Sequence, residues 1–321
     1  MSHPQNVHVV FGTGPVGQAV MQALLRRGQA VRMVSRSGSF RAPAGVEVAA
    51  ADAYQVSATT SLTADAAVVY QCAQPAYQDW AEKFPPLQSA ILEGVAGSGA
   101  KLIVAENLYM YGQVEGPINE GLPYAAHTRK GTVRAAMTEA LFAAHRSGKV
   151  RAASARGSDF FGPGVLESAM GERVVTPLLK GKAAQASGRL DMPHSMTYIA
   201  DFGEALVMLG ERDEALGRAW HVPNAETLTQ GLFIERLASV AAVEPKMTAI
   251  SPLMMRFAGL FIPGARETVE MMYEFTAPFV VDHSSFVRAF GDIHTSYDTS
   301  LPATVAWYRE HIAMEAGKQA A

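Results

Sequence analysis

Residues 6–38, NVHVVFGTGPVGQAVMQALLRRGQAVRMVSRSG, decide the fold. Val7, Val9, Val10 and Phe11 form a short apolar run, and glycines break it at once. Val16, Val20 and Leu24 then recur at helical spacing, and a second apolar run follows from Ala30 to Val34. Strand, turn, helix and strand is the reading this order supports. The turn itself, Gly12-Thr13-Gly14-Pro15-Val16-Gly17, has the spacing GxGxxG. Gly12 allows a tight turn, Gly14 leaves room for a pyrophosphate to approach the backbone, and Gly17 lets the helix pack close to the strand. The amides at the helix start then face an anion with the positive end of the helix dipole behind them. These six residues are candidate dinucleotide ligands.

The end of the second strand bears on which dinucleotide. An acid there would bind a ribose, whereas this chain has Ser35, Arg36 and Ser37, with Arg36 19 residues beyond Gly17. A guanidinium pairs well with a 2'-phosphate, so NADP(H) is expected in preference to NAD(H). Asp52 and Ala53, after VEVAAA, are candidates for the adenine end. Cys72, Ala73 and Gln74, in QCAQP, follow a fourth apolar run and are placed near the pyrophosphate or the nicotinamide ribose.

Further along, VEVAAADA, AAVVYQCA and AKLIVAE read as third to fifth strands, apolar enough to be covered on both faces. Helices are expected near 76–83, 87–97 and 128–146, with Pro85 and Pro86 separating the first two. KVRAASARGSDFFGPG reads as a further strand entering a glycine-rich loop. Beyond it, Asp201 is expected to cap a helix, and RAWHVPNAETLTQGLFIERLASVAA supplies a strand, a loop and a helix. The fold class expected is α/β, a Rossmann-type doubly wound parallel sheet, with a smaller substrate-covering region formed mainly by later-half segments. Residues 1–164 are taken as the dinucleotide-binding core and 165–321 as remaining core elements and cover, not an independent second domain. The Met-rich and aromatic stretch 254–280 is open to three uses: core, pocket lining or subunit contact.

Composition excludes several classes. With 49% hydrophobic and 18% charged residues and a formal net charge of -3, the chain has no basic excess with which to neutralise nucleic-acid phosphates. The single cysteine, Cys72, rules out an internal disulfide and a multi-cysteine zinc site. His194, His221 and His283 form no metal motif. The N-terminal residues lack a secretory pattern and no apolar run is long enough to span a bilayer. A cytoplasmic location without membrane or nucleic-acid partners is the expectation.

Together these segments resemble the extended short-chain dehydrogenase/reductase family, including its NAD-dependent epimerase/dehydratases, over residues 7–312. DAAVVYQCA looks like its fourth strand, YMYG at 109–112 resembles its strand-end VYG, and ARGSDFFGPG at 155–164 resembles the segment that helps place cofactor and substrate. SMTYIADFGEAL and VVDHSSFVRAFG resemble later landmarks. The resemblance implies a Tyr, a Lys four residues on and an upstream Ser or Thr as the proton-transfer unit. Here those positions fall on Lys130, Arg134 and Asn107, so none of the customary residues is present.

An arginine stays protonated and is a poor base, and a lysine of ordinary pKa is a poor base at neutral pH. Three uses of KGTVR stay open: a modified hydride-transfer site, with Lys130 acidic or electrophilic and Arg134 organising the cofactor; a site for a substrate carboxylate or phosphate; or structural retention in a binding protein. Tyr109, Tyr111 and Tyr124 are candidate substitutes for the missing phenol, and His127 titrates near neutrality. The functional expectation is an NADP(H)-dependent oxidoreductase acting on a small carbonyl, alcohol or related unsaturated metabolite through a modified proton-transfer site, with an inactive NADP(H)-binding regulator and a dinucleotide-retaining epimerase or isomerase as alternatives. The family's habit of pairing subunits through helices implies a homodimer.

Overall fold

The computed structural model describes residues 7–261 and 263–320. The chain opens with β1 (Val7–Phe11), α1 (Pro15–Arg26), β2 (Ala30–Ser35), β3 (Glu47–Ala50), α2 (Val56–Thr63), β4 (Ala66–Gln71), α3 (Trp80–Val95), β5 (Lys101–Glu106), α4 (Arg129–Arg146) and β6 (Arg151–Arg156). After β7 (Asp159–Phe161), α5 (Glu172–Leu179), β8 (Ala184–Ser187), β9 (Pro193–His194) and β10 (Met196–Tyr198), it continues through α6 (Ile199–Glu211) to β11 (Ala219–His221).

Seven strands form one sheet in the order β11-β6-β5-β4-β1-β2-β3, and every pairing in it is parallel. The strand sequence runs outward in opposite directions from β1 and β4. Ligands of such sheets bind in the crevice at that reversal, at the carboxyl ends of the strands. Near-continuous apolar strands suit the arrangement, since Val9, Val10, Val69, Leu102, Ile103 and Val104 all lie at 0% exposure.

The expected break at Pro85 and Pro86 is absent. A short 3-10 turn, Tyr77–Asp79, leads into α3, which runs through both prolines as one helix. The prolines remove two backbone donors at a cost of a few kcal/mol. Burial of Trp80, Phe84, Leu87 and Ile91 offsets this, together with the bond from Gln88 Nε2 to Met137 O at 2.7 Å. Tertiary packing here overrides the local proline signal.

The described residues divide into two compact units. One holds the chain to Gly112, then Glu120–Arg156 and Phe202–Val222; the other holds Gln113–Asn119, Gly157–Asp201 and the chain from Pro223. No single cut at residue 164 separates them, because the chain enters the second unit and returns to supply β11 to the large sheet.

The second unit adds β12 (Leu228–Thr229), α7 (Gln230–Ala241), β13 (Met247–Ile250), α8 (Pro252–Ala258), α9 (Pro263–Val269), α10 (Ser284–Phe290) and α11 (Tyr297–Ala320). Its strands pair as β10 with β7, β12 with β9 and β13 with β8. Phe161, Val174, Phe233, Leu237, Leu301 and Tyr308 pack in its core. Asp201 lies within the first turn of α6, and its carboxylate accepts the Thr295 N–H at 2.7 Å and the Thr295 hydroxyl at 2.6 Å. It therefore holds the segment before α11. Stretch 254–280 is split: Met255, Met271, Met272, Phe275 and Phe279 are buried, while Met254, Phe257, Leu260 and Phe261 are exposed. No helix among the described residues is long and apolar enough to cross a membrane.

Candidate functional site

All the residues singled out for the dinucleotide and for proton transfer lie in the first unit. At Gly12 the backbone has φ +106°, and a Cβ would stand 2.7 Å from Ala73 N. The glycine turn is thus pressed against the Cys72–Ala73 backbone, and Cys72 N–H donates to Phe11 O at 2.9 Å. At Gly17 a Cβ would stand 2.0 Å from Gly12 O. Gly14 is different: nothing lies within 4 Å of the corresponding point. Two glycines close the turn and the third opens it outward.

Helix α1 begins on that open side. Gly14 is its N-cap with no side-chain cap, Pro15 opens the helix, and its first turn holds no acid. Val16 and Gly17 are left as amide donors without intrahelical partners. Gln18 Nε2 donates to Thr13 O at 2.9 Å and braces the loop. A donor set free of carboxylates, at a helix N-terminus with open space before it, fits a pyrophosphate.

Around this cradle, Ser35 Oγ accepts the Gly38 N–H at 3.2 Å, and the Ser37 and Ser39 hydroxyls pair at 2.7 Å. Two of the three residues read as phosphate ligands thus stabilise their own turn, and Arg36 is exposed. Asp52 is exposed, with Oδ1 accepting the Tyr54 N–H at 3.1 Å, and Ala53 beside it is half-buried. Gln74 is exposed, and burial pushes the Cys72 thiol up.

At the proton-transfer position, Lys130 and Arg134 lie on α4, whose Thr128 N-cap accepts the Gly131 N–H at 3.1 Å. Lys130 is buried, with Nζ 4.4 Å from the centre of the Tyr77 ring. The Tyr77 hydroxyl donates to Tyr109 Oη at 3.4 Å. Lys130, Tyr77 and Tyr109 are therefore brought together. Asn107 Oδ1 accepts the Tyr109 N–H at 3.3 Å and shapes the same turn. His127 is exposed.

Arg134 departs from its expected role at the cofactor. It is 1% exposed, with Nη2 3.5 Å from Glu106 Oε1 and its guanidinium over the Phe84 ring at 4.8 Å. Its charge is committed to the interior. Glu106 also binds Arg156 Nε at 3.0 Å and the Thr138 hydroxyl at 2.5 Å. Burial alone would raise the Glu106 carboxyl, but the two guanidiniums and the hydroxyl outweigh it and hold it below the usual range.

Arg156 extends the network to the tyrosines. Its Nη1 donates to Tyr111 Oη and its Nη2 to Tyr124 Oη at 2.7 Å. Tyr111 Oη also hydrogen-bonds with His221 Nε2 at 2.9 Å. Tyr111 is thus a buried structural phenol and Tyr124 a half-buried one held by Arg156. Sequence reasoning missed Glu106 and Arg156. The available signal was a charge at the carboxyl end of each of two strands, KLIVAE and RAASAR, which the sheet aligns residue against residue.

The family model for the NAD dependent epimerase/dehydratase family matches residues 8–222. The chain belongs to that family. Three solved structures share the fold at low identity. UDP-glucose 4-epimerase of Thermotoga maritima, with UDP-glucose, has a TM-score of 0.78 at 14% identity, over 95% of this chain and 99% of that one. UDP-glucose 4-epimerase of Thermus thermophilus, complexed with NAD, gives 0.75 at 18%, over 94% and 99%. UDP-glucuronic acid 4-epimerase of Bacillus cereus, complexed with UDP-glucuronic acid and NAD, gives 0.77 at 17%, over 95% and 99%. A search of curated proteins gave no match.

The comparisons correct the cofactor expectation. The family is the NAD dependent one, and the Thermus and Bacillus epimerases carry NAD. Preference for NADP(H) rested on Ser35, Arg36 and Ser37, two of which are engaged within their turn while the third is exposed. Among the described residues no group of three His, Cys, Asp or Glu side chains is placed to hold a metal.

Proposed function

We propose that this member of the epimerase/dehydratase family is an NAD(H)-dependent enzyme that oxidises a carbinol carbon of a nucleotide-linked sugar and reduces it again, with no net oxidation. The open position at Gly14, before an acid-free helix start, carries the reading. The UDP-sugars bound by the similar Thermotoga and Bacillus epimerases support the substrate class.

Gly12, Thr13, Gly14, Pro15, Val16 and Gly17 would hold the pyrophosphate; Ser35, Arg36, Ser37, Asp52 and Ala53 border the adenosine side, and Cys72, Ala73 and Gln74 the nicotinamide ribose. When bound, NAD+ supplies the hydride acceptor. The chain supplies the proton transfer: Tyr109 Oη, as the phenolate, takes the substrate hydroxyl proton and, as the phenol, gives it back. Tyr77 donates to that oxygen, and the Lys130 ammonium against Tyr77 stabilises negative charge on the phenol pair. An ammonium and a phenol are thereby retained, the ammonium at the customary phenol position and the phenol on the turn after β5. Tyr124, fixed by Arg156, orients a substrate hydroxyl, and Asn107 holds the turn that presents Tyr109.

Incubation of the purified chain with NAD+ and either UDP-glucose or UDP-glucuronic acid tests the proposal, with epimer formation followed by proton NMR. Tyr109→Phe is expected to lower kcat on the order of 10²- to 10³-fold, as removal of an acid–base group does, while NAD+ affinity stays within about threefold of wild type. Undiminished turnover in Tyr109→Phe removes that residue from the mechanism. NAD+ binding without conversion of any nucleotide sugar supports a second reading, an inactive NAD-binding regulator. The burial of Arg134 against Glu106, away from the customary lysine's work, is the observation that favours it.

A further inference from the structure

The proposed chemistry leaves one buried polar side chain unused. Gln71, the last residue of β4, is 2% exposed, and neither its Nε2 nor its Oε1 has a hydrogen-bond partner among the described residues. Gln88 and Gln230, the other buried glutamines among them, behave differently: Gln88 Nε2 donates to Met137 O at 2.7 Å and Gln230 Nε2 to Ser187 O at 2.8 Å. A buried carboxamide that gives up water and gains no partner destabilises the fold, so native interiors hold few of them. For packing alone, an apolar residue would serve this position better.

Strand register fixes where the amide lies. Gln71 pairs with Phe11 of β1 and Val104 of β5, and it belongs to the same face of the sheet as Val69, two residues before it. Phe11, Val69 and Val104 all pack in the layer that Trp80, Phe84 and Ile91 of α3 close. Gln71 is the last strand residue of β4 in that layer, and the half-buried Ala73 after β4, Tyr109 after β5 and Tyr77 before α3 border it. The chain then meets the glycine turn at once: Cys72 N–H donates to Phe11 O, and a Cβ at Gly12 would stand 2.7 Å from Ala73 N. The amide is therefore next to the pyrophosphate cradle, on the β4 side of β1, whereas Ser35 and Asp52 follow β2 and β3 on the other side.

We infer that the Gln71 carboxamide is a positioning group for the cofactor, holding the hydroxyls of the nicotinamide-side ribose. The inference rests on the dinucleotide reading given above. That ribose is the group next to the pyrophosphate, and a dinucleotide whose adenosine borders Ser35 and Asp52 places it on the β4 side of the sheet's reversal. The chemistry matches as well. A carboxamide donates and accepts, as the hydroxyls of a vicinal diol do, whereas a pyrophosphate only accepts. Arg134, the cation expected at the cofactor, is held inside by Glu106 and leaves that task to another group. Because the amide is covered, it turns outward about its side-chain torsions to meet the ribose. Binding then relieves the unpaired state, which is a differential interaction that favours the turned form.

Isothermal titration of the full chain with ADP and with ADP-ribose tests the contact, since ADP-ribose adds the second ribose to the same pyrophosphate. Wild type is expected to bind ADP-ribose on the order of tenfold more tightly than ADP, the worth of one or two hydrogen bonds. In Gln71→Met and Gln71→Leu that ratio is expected to fall below about threefold, with ADP affinity unchanged and a thermal melt no lower than that of wild type, because an unpartnered amide has been removed. Either variant suffices if the other folds poorly. A ratio unchanged in the variants overturns the inference and leaves Gln71 with an internal water only. Loss of ADP affinity in step with ADP-ribose also overturns it, since the cradle itself is then disturbed. A loss seen with NADH but not with ADP-ribose moves the amide to the nicotinamide and overturns the ribose assignment. Wild type that binds ADP but gains nothing from the second ribose overturns the inference and leaves the cradle standing, whereas failure to bind either ligand removes the dinucleotide reading with it.

Discussion

The glycine turn after β1 and the start of α4 both hold residues that the sequence marks for a dinucleotide, yet the structure treats them differently. At Gly12 and Gly17 the backbone admits no side chain, and at Gly14 it faces open space. On α4, Lys130 stands at the customary phenol position, and Arg134 at the customary lysine position is drawn into a buried pair with Glu106. At Gly12 and Gly17 the turn depends on the backbone, where an added atom collides. Proton transfer depends on side chains that neighbours can replace. One region is held by sterics, while the other tolerates rearrangement.

The largest expected effect tests whether Arg134 is structural. Glu106→Ala leaves two buried guanidiniums without their carboxylate and is expected to destabilise the chain by about 3–5 kcal/mol, read by denaturant unfolding. The pH sign follows from the Glu106 carboxyl being held below its usual range. Its stabilisation is present above the unfolded value, near about pH 4.3, and is lost as pH falls through the depressed folded value. Glu106→Gln is expected to flatten that acid limb. A loss below about 1 kcal/mol in Glu106→Ala would return Arg134 to the list of cofactor ligands.

Next come the closed glycines. Gly17→Ala places a methyl 2.0 Å from Gly12 O and is expected to cost about 3 kcal/mol of stability, as overpacking does, in a thermal melt. Gly14→Ala separates binding from folding, since its methyl meets nothing within 4 Å. Its melt should match wild type while NADH affinity drops about tenfold, equivalent to about 1.4 kcal/mol. Equal effects of the two substitutions would erase the distinction between closed and open glycines. The smallest effect is assigned to Arg36→Ala. With the guanidinium exposed and its flanking serines engaged in their turn, NADH affinity is expected to change by less than about threefold, under ~0.7 kcal/mol, in the same titration.

Legibility in the sequence divides along the same line. Residues 6–38 announce the fold because glycine spacing and strand apolarity are local properties, and the parallel sheet follows from them. Pro85 and Pro86 mislead because the packing that keeps α3 helical comes from residues distant in the chain. Position alone locates Lys130 and Arg134, but not their partners. Tyr77 is 53 residues from Lys130, and Glu106 meets Arg156 only through the β5–β6 register. Arg36 is over-read for a related reason: a guanidinium in the right place does not choose a cofactor when the turn around it satisfies itself.

The most direct test of the account is titration of the folded wild-type chain with NADH, read by energy transfer from protein fluorescence. The account requires one saturable site per chain, with a dissociation constant on the order of micromolar, weakened in Gly14→Ala and displaced by NAD+. A folded chain that shows no saturable binding up to on the order of millimolar NADH would contradict it.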